Sequence, residues 1–133
     1  MTTPVNPPGW QRPRGYSNGM LSGARAPLLA VAGQIGWDEH EKLVGPDFMS
    51  QFDRALANVV AVVVAAGGAA ADIISLRLYV TDKQEYVAAL AAVGESYRRH
   101  MGKHFPAMAL LEVKGLLEPG AKVEIEALAA IGG

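Results

Sequence analysis

The sequence predicts a single α+β domain in which two helices cover one face of a mixed β-sheet. The chain has 133 residues, of which 50% are hydrophobic and 19% charged, and this balance fits one folded domain and excludes a disordered chain. Two long segments repeat apolar residues every three or four positions, as amphipathic helices do. The other apolar runs are short and are bounded by Gly or Pro, which indicates strands and gives the order ββ(β)αβαββ.

Residues 1–16 are predicted to form a Pro-rich N-terminal arm, and residues 17–133 the domain itself. Half of the eight prolines lie in the first thirteen residues, where their fixed φ and missing amide donors disfavour both helix and central strand. The apolar runs 19–21 and 28–35 are separated by SGARAP, whose Gly and Pro indicate a turn, so we expect two strands in a hairpin. The polar loop that follows carries an optional short strand at 42–44.

Two helices are predicted, and both have recognisable start signals. The first runs between Asp47 and Ala66, where Asp47 can accept hydrogen bonds from the first-turn amides. The second begins at Asp82, which together with Glu85 three residues later resembles a capping box, and it stops at Gly102.

Three further strands are predicted, at residues 73–80, 107–113 and 122–131. The first of them alternates strictly, which places Ile74 on its apolar face and Arg77 and Tyr79 on the other face.

The sheet face away from the helices is expected to be partly polar, because two helices can cover only one face of a sheet this size. Arg77, Tyr79 and, depending on register, Glu112, Glu124 and Glu126 would lie there. This face is either solvated or packed on neighbouring subunits, with its polar groups lining clefts between chains. A mean hydropathy of +0.16, high for a small domain, favours packing between subunits.

Composition excludes several function classes. The chain has no cysteine, so it has no disulfide, thiolate metal site or cysteine nucleophile. Its three histidines lack metal-ligand spacing and are interpreted as surface residues. Phosphate-binding glycine loops and the GxSxG elbow are absent, which removes support for nucleotide hydrolysis and serine-hydrolase chemistry.

Charge and hydropathy also limit the partners and the compartment. A net charge of -1 with scattered Lys and Arg argues against a nucleic-acid partner. The longest apolar run, Val59–Ala66, is far short of the roughly 20 residues that span a bilayer, and the N-terminus lacks a basic segment followed by an apolar one. We therefore expect a cytoplasmic protein without a membrane partner.

The remaining candidates for chemistry are carboxylates on strands. Glu124 and Glu126 are two residues apart, so they project from the same face of one strand. Two like charges there would raise each other's proton affinity if they were shielded from water. Spacing alone favours the other interpretation, in which both carboxylates are simply solvated.

Seven short stretches, in order and nearly spanning residues 15–131, resemble the Rid family of reactive intermediate deaminases, also called YjgF-type and described as endoribonuclease L-PSP. They are GYS at 15–17, VAGQI at 31–35, QFDRALAN at 51–58, AAG at 65–67, LYVTD at 78–82, FPA at 105–107 and VEIEA at 123–127. No tripeptide among them is specific, but the ordered set is.

The resemblance implies a chorismate mutase-like fold, assembled as a homotrimer whose sheets form a central barrel with small-molecule ligand clefts between subunits. It also implies hydrolysis of imines and enamines, such as 2-aminoacrylate, to a keto acid and ammonia, with no metal or organic cofactor. By the same resemblance, Tyr16 matches a tyrosine of the cleft, Gly33 a backbone contact to the ligand, and Glu124 the carboxylate that holds the attacking water.

One position departs from the family pattern. Deaminase members carry an arginine after FPA, which grips the substrate carboxylate, whereas this chain has Met108. Leu110 makes the inferred cleft more apolar, and Met108 itself is either a cleft residue or core filler. Arg14 or Arg77 could replace the missing anchor, although a solvated position in the arm is the favoured interpretation of Arg14.

The sequence therefore predicts a Rid-type hydrolase of altered specificity. A non-catalytic member that binds a metabolite or a protein is the alternative, favoured by Met108. An endoribonuclease or translation inhibitor is the third reading, and the near-neutral charge disfavours it.

Overall fold

The computed structural model describes residues 2–132. Its strands are β1 Thr3–Val5, β2 Gly19–Leu21, β3 Leu28–Ile35, β4 Ile73–Val80, β5 Ala107–Glu112 and β6 Val123–Ala130. Its helices are α1 Phe48–Ala65, α2 Lys83–Ala88 and α3 Leu90–Met101, and a single 3-10 turn, Ala70–Asp72, precedes β4.

The main sheet has the strand order β3-β6-β4-β5, with β4 and β5 parallel and the other pairs antiparallel. The predicted mixed sheet is thus confirmed. Both helical connections, from β3 through α1 to β4 and from β4 through α2 and α3 to β5, run in the same direction across the sheet. Since such crossovers are nearly always right-handed, both place their helices on the same face, as predicted.

The core lies between these helices and the sheet. Phe52, Leu56 and Val59 of α1 are fully buried, as are Leu76 of β4 and Ile125 of β6. Asp47 begins α1 as predicted, with its carboxylate accepting a hydrogen bond from the amide of Ser50 at 2.9 Å.

Three expectations about strands are wrong in detail. β2 pairs with β1 of the arm, not with β3, in a separate two-stranded ribbon. The side chain of Asn6 accepts hydrogen bonds from the backbone and the side-chain amide of Asn18, which holds this ribbon together although Pro4 lies within it. The optional strand at 42–44 is reduced to one bridge between Trp37 and Leu43.

The third strand correction concerns β4. A register shift between Ile73 and Ser75 turns Ile73 into the core in place of Ile74. Strict alternation cannot reveal such a shift, because it depends on pairing with β6.

The second predicted helix is two helices. Ala89 leaves helical geometry, with φ −104° and ψ 15°, and separates α2 from α3. No Gly or Pro marks this position in the sequence.

Within residues 2–132, α1 is the one helix that is long and apolar enough to cross a membrane, with 18 residues and a mean hydropathy of 1.3. One of its faces packs on β3 and β6, and buried core helices pass the same test. Its length and composition are weak evidence of a membrane span.

Candidate functional site

A cavity of about 510 Å³ lies between the helices and the β4–β5 edge of the sheet. Its floor is apolar, because Leu76 and Leu78 of β4 stand beside Met108 and Leu110 of β5 in the parallel register. Val93 and neighbouring residues of α2 and α3 form the opposite wall. The structure thus places Met108 and Leu110 in the wall of the cavity and, at the same time, against the core.

The N-terminal segment lies at the same cavity. Arg14 and Tyr16 both line it, and Tyr16 is 41% exposed. Four of the six site residues predicted from the sequence, namely Arg14, Tyr16, Met108 and Leu110, are therefore brought together.

Ser17 holds this segment in place. Its hydroxyl donates a hydrogen bond to the carbonyl of Phe105 at 2.6 Å, and its amide donates to the carbonyl of Pro106 at 3.0 Å. Ser17 is 5% exposed, so both hydrogen bonds are shielded from water. They join the GYS and FPA motifs, a role for Ser17 that spacing along the chain does not reveal.

Two histidines interpreted as surface residues prove to be structural. The Nε2 atom of His104 lies 2.6 Å from the carbonyl of Ile73, and the backbone carbonyl of His104 accepts a hydrogen bond from the hydroxyl of Tyr97 at 2.5 Å. Tyr97 stacks on Phe105 with ring centroids 5.5 Å apart, and burial raises its pKa. His100 is also partly buried, whereas His40 is exposed as expected.

α3 is fastened to α1 through the carboxylate of Asp53. The Oδ1 atom accepts hydrogen bonds from the hydroxyl of Ser96 and the guanidinium of Arg99, both at 2.7 Å, and lies 3.0 Å from Nε2 of His100. Burial raises the pKa of Asp53. The hydrogen bonds from Ser96, His100 and Arg99 together lower it by more than burial raises it, so the pKa of Asp53 lies below its ordinary value. This cluster positions the helix that covers the cavity.

Gly33 and Glu124 lie on the other face of the sheet, away from the cavity. A Cβ atom at Gly33 would collide with the Glu124 carboxylate, so the glycine allows that side chain to lie flat over β3. The adjacent residue, Ile125, points the opposite way into the cavity wall. Within one chain, the sheet thus separates Glu124 from Tyr16 and Met108.

The two carboxylates of β6 have different surroundings. Glu126 accepts a hydrogen bond from the hydroxyl of Tyr79 and lies 4.0 Å from the guanidinium of Arg77. The bond to Glu126 is the main cause of the raised pKa of Tyr79. Glu124 has no hydrogen-bond or ion-pair partner among residues 2–132, so it is the carboxylate available to a water or a ligand.

Glu112 is not on this face, contrary to one of the registers considered. It pairs with Val80 in the parallel ladder and therefore lies on the helix side. Its carboxylate accepts a hydrogen bond from the amide of Lys83 at 2.9 Å, at the start of α2. Over the part of the chain that the structure describes, no group of three His, Asp or Glu residues could hold a metal ion.

Known proteins resemble this chain over most of its length. The family model described as "Endoribonuclease L-PSP" matches residues 11–131. The chain is 33% identical over 105 residues to the 2-iminobutanoate/2-iminopropanoate deaminase of Salmonella typhimurium, covering 77% of this chain and 78% of that protein.

Solved structures extend the similarity to the whole fold. The Rid-family protein YyfB of Yersinia pestis, a protein of unknown function, superposes with a TM-score of 0.86 at 30% identity, covering 98% of both chains. Escherichia coli TdcF with bound serine superposes with a TM-score of 0.66 at 29% identity, covering 92% of this chain and 91% of that one.

Proposed function

Because this chain belongs to the Rid family, whose family model is described as endoribonuclease L-PSP, we propose that it hydrolyses small imines or enamines to a carbonyl compound and ammonia. The observation that carries the proposal is the Glu124 carboxylate, which lies over Gly33 without a partner among residues 2–132. A relative at 33% identity is named 2-iminobutanoate/2-iminopropanoate deaminase, which supports the reaction class.

Glu124 is the proposed catalytic residue. Its carboxylate holds a water molecule and accepts a proton from it as the water oxygen bonds to the carbon of the C=N group. That proton passes to the nitrogen and gives a carbinolamine. The hydroxyl proton of the carbinolamine then also moves to the nitrogen, the C–N bond breaks, and ammonia leaves as the carbonyl forms. Water and imine are the only reactants, so this step needs no cofactor.

We propose a homotrimer in which the helix-free sheet face packs on neighbouring copies. Leu28 and Leu128 on this face are 66% and 36% exposed in the single chain, and Leu111 is 44% exposed. Covering such apolar surface favours association. A neighbouring copy would close the space above Glu124, which a single chain leaves open, and form the ligand cleft between subunits.

Altered specificity is part of the proposal. Met108, at the place where the family resemblance expects an arginine, cannot bind a carboxylate through charge. Arg14 lines the same cavity as Met108, whereas Arg77 lies on the opposite face beside Glu126. Of the two arginines considered from the sequence, Arg14 is therefore the one that lines the cavity.

The test is hydrolysis of 2-iminopropanoate, generated in solution by an amino-acid oxidase and followed by trapping of the remaining imine. We expect turnover by the wild type and its loss in Glu124→Gln. Glu126→Gln is the matched control, because an amide oxygen can still accept the Tyr79 hydrogen bond. No turnover of any imine by the wild type, or equal losses in both variants, would contradict the assignment.

A non-catalytic binding role is the second candidate, favoured by Met108 in the cavity wall. A ligand that raises the melting temperature without forming product would support this role over hydrolysis.

A further inference from the structure

α3 forms one wall of the cavity, and this wall ends at the positively charged side chain of Arg98. Leu90, Val93, Gly94 and Tyr97 follow one another at helical spacing along this wall, and Arg98 completes the row. A Cβ atom at Gly94 would lie 3.4 Å from Nη1 of Arg98 and 4.0 Å from Nη2. The guanidinium therefore folds back along α3 beside Gly94 and lies at the cavity instead of extending away from it.

This charge has no anionic partner among residues 2–132. The next residue, Arg99, is bound to Asp53 at 2.7 Å, and no hydrogen bond or ion pair involves the Arg98 side chain. The described residues that line the cavity include Arg14 and Arg98 but no Asp or Glu. Arg14 and Arg98 thus give the cavity a positively charged rim, and no described lining residue carries a negative charge.

The interior of the cavity is apolar, in contrast to the positively charged rim that Arg14 and Arg98 form. Leu56, Leu78, Leu110 and Ile125 line it, so a polar ligand buried there would lose hydrogen bonds to water. A volume of about 510 Å³ falls within the range of small-molecule sites and exceeds the needs of a three-carbon acid. An apolar chain with a charged end matches both the walls and the rim.

We infer that this cavity binds a small amphipathic carboxylate, a 2-oxo or 2-imino acid with a branched or aromatic side chain, with Arg98 of α3 as the anchor for the carboxylate. The side chain lies against Leu78 and Leu110, and the carboxylate lies at the rim. This inference deepens the proposed function and rests on it, because it names the substrate class for the same reaction. The sheet separates the cavity from Glu124 of the same chain, so the reaction requires Glu124 of a neighbouring copy at the rim, as in the proposed assembly.

The test is calorimetric titration of the full chain with 4-methyl-2-oxopentanoate, phenylpyruvate and pyruvate. We expect the first two to bind at least about tenfold more tightly than pyruvate, because more apolar surface is buried. Arg98→Gln should weaken their binding about tenfold or more by removing a charged hydrogen-bond donor. Arg98 is exposed and makes no internal hydrogen bond among the described residues, so this variant is expected to fold.

Lys103→Gln is the matched control, because Lys103 is an exposed cation just beyond α3 that does not line the cavity, so binding should change by less than about twofold. Arg14→Gln tests the competing anchor. Equal affinity for all three acids, or binding that is insensitive to Arg98→Gln, overturns the inference. A loss confined to Arg14→Gln also overturns it, because the anchor would then lie in the arm.

The imine assay separates this result from the proposed function. If the protein hydrolyses 2-iminopropanoate but binds larger acids no better than pyruvate and is unaffected by Arg98→Gln, the inferred substrate class is wrong and the proposed hydrolysis stands. Binding through Arg98 without hydrolysis of any imine removes the function, and the cavity then remains as a binding site.

Discussion

Met108 is the residue on which the proposed change in substrate specificity depends. It is partly buried between the core and the cavity, so it fills apolar space and borders the cavity at the same time. A thioether provides dispersion contacts but no charge, which suits the side chain of a ligand better than its carboxylate. Under the proposed function the anchor comes from another element, and two arginines line the same cavity, Arg14 and Arg98.

Met108→Arg tests whether position 108 can still serve as an anchor. We expect it to strengthen pyruvate binding and 2-iminopropanoate turnover by about tenfold, the gain typical of a charge-assisted hydrogen bond. Met108→Gln is the neutral control of similar size and should give no such gain. Calorimetry and the imine assay measure the two effects, and an unchanged affinity for pyruvate would place position 108 away from the ligand carboxylate.

At the scale of the element, α3 decides how the cavity is closed. Its apolar row forms one wall, its link to Asp53 fixes it on α1, and Gly94 leaves room in the middle of the helix. Glycine inside a helix is unfavourable relative to alanine because it loses more backbone entropy on folding. Gly94 is therefore better explained by the space it leaves than by the stability of the helix.

Gly94→Ala should raise the free energy of unfolding by about 0.5–1 kcal/mol. The new Cβ meets Arg98 at ordinary contact distance, so no clash offsets the gain. The same methyl group enters the cavity wall and should weaken binding of 4-methyl-2-oxopentanoate. Urea unfolding measures the expected gain in stability, and calorimetry measures the expected loss of binding affinity. A variant less stable than the wild type would contradict the reasoning.

The Asp53 cluster makes the attachment of α3 dependent on pH. The pKa of Asp53 is lower in the folded state than its ordinary value, so its contribution to stability is present above about pH 4 and is lost as the pH falls through the folded pKa. Arg99 and His100 are the charged and titratable groups that face it. Urea unfolding of wild type and Asp53→Asn should differ most near neutral pH and converge in acid. A difference that grows on acidification would be the opposite sign and would contradict the assignment.

At the scale of the whole molecule, the two faces of the sheet have different partners. The helices cover one face, whereas the other exposes Leu28 and Leu128 around a polar centre that contains Glu124, Glu126 and Tyr79. A mixed surface of this kind suits packing between copies, in which apolar groups drive association and polar groups line the space that remains.

Light scattering on the purified chain should give three times the chain mass of 14.0 kDa. Leu128→Lys should shift the mass towards that of a single chain, because the charge would be buried between copies. Val64→Lys is the matched control, since Val64 is 57% exposed on α1, on the helical side. A monomeric wild type would remove the proposed assembly, and the cleft between subunits with it.

The sequence by itself determined the elements that depend on local order. Asp47 marked the start of α1, apolar spacing marked both helical regions, and alternation marked the strands, because capping and side-chain periodicity act within a few residues. The family resemblance also came from the sequence and is confirmed. The roles assigned to Tyr16, Gly33, Met108 and Glu124 remain predictions.

Only the tertiary structure decided which residues meet. The shift at Ile73, the position of Glu112 on the helix side and the engagement of Glu126 by Tyr79 all depend on the register between strands distant in the chain. Alternation tells that two residues share a face, but the neighbouring strand determines what each one contacts. The position of Arg98 at the cavity likewise follows from the packing of α3, which helical spacing alone does not fix.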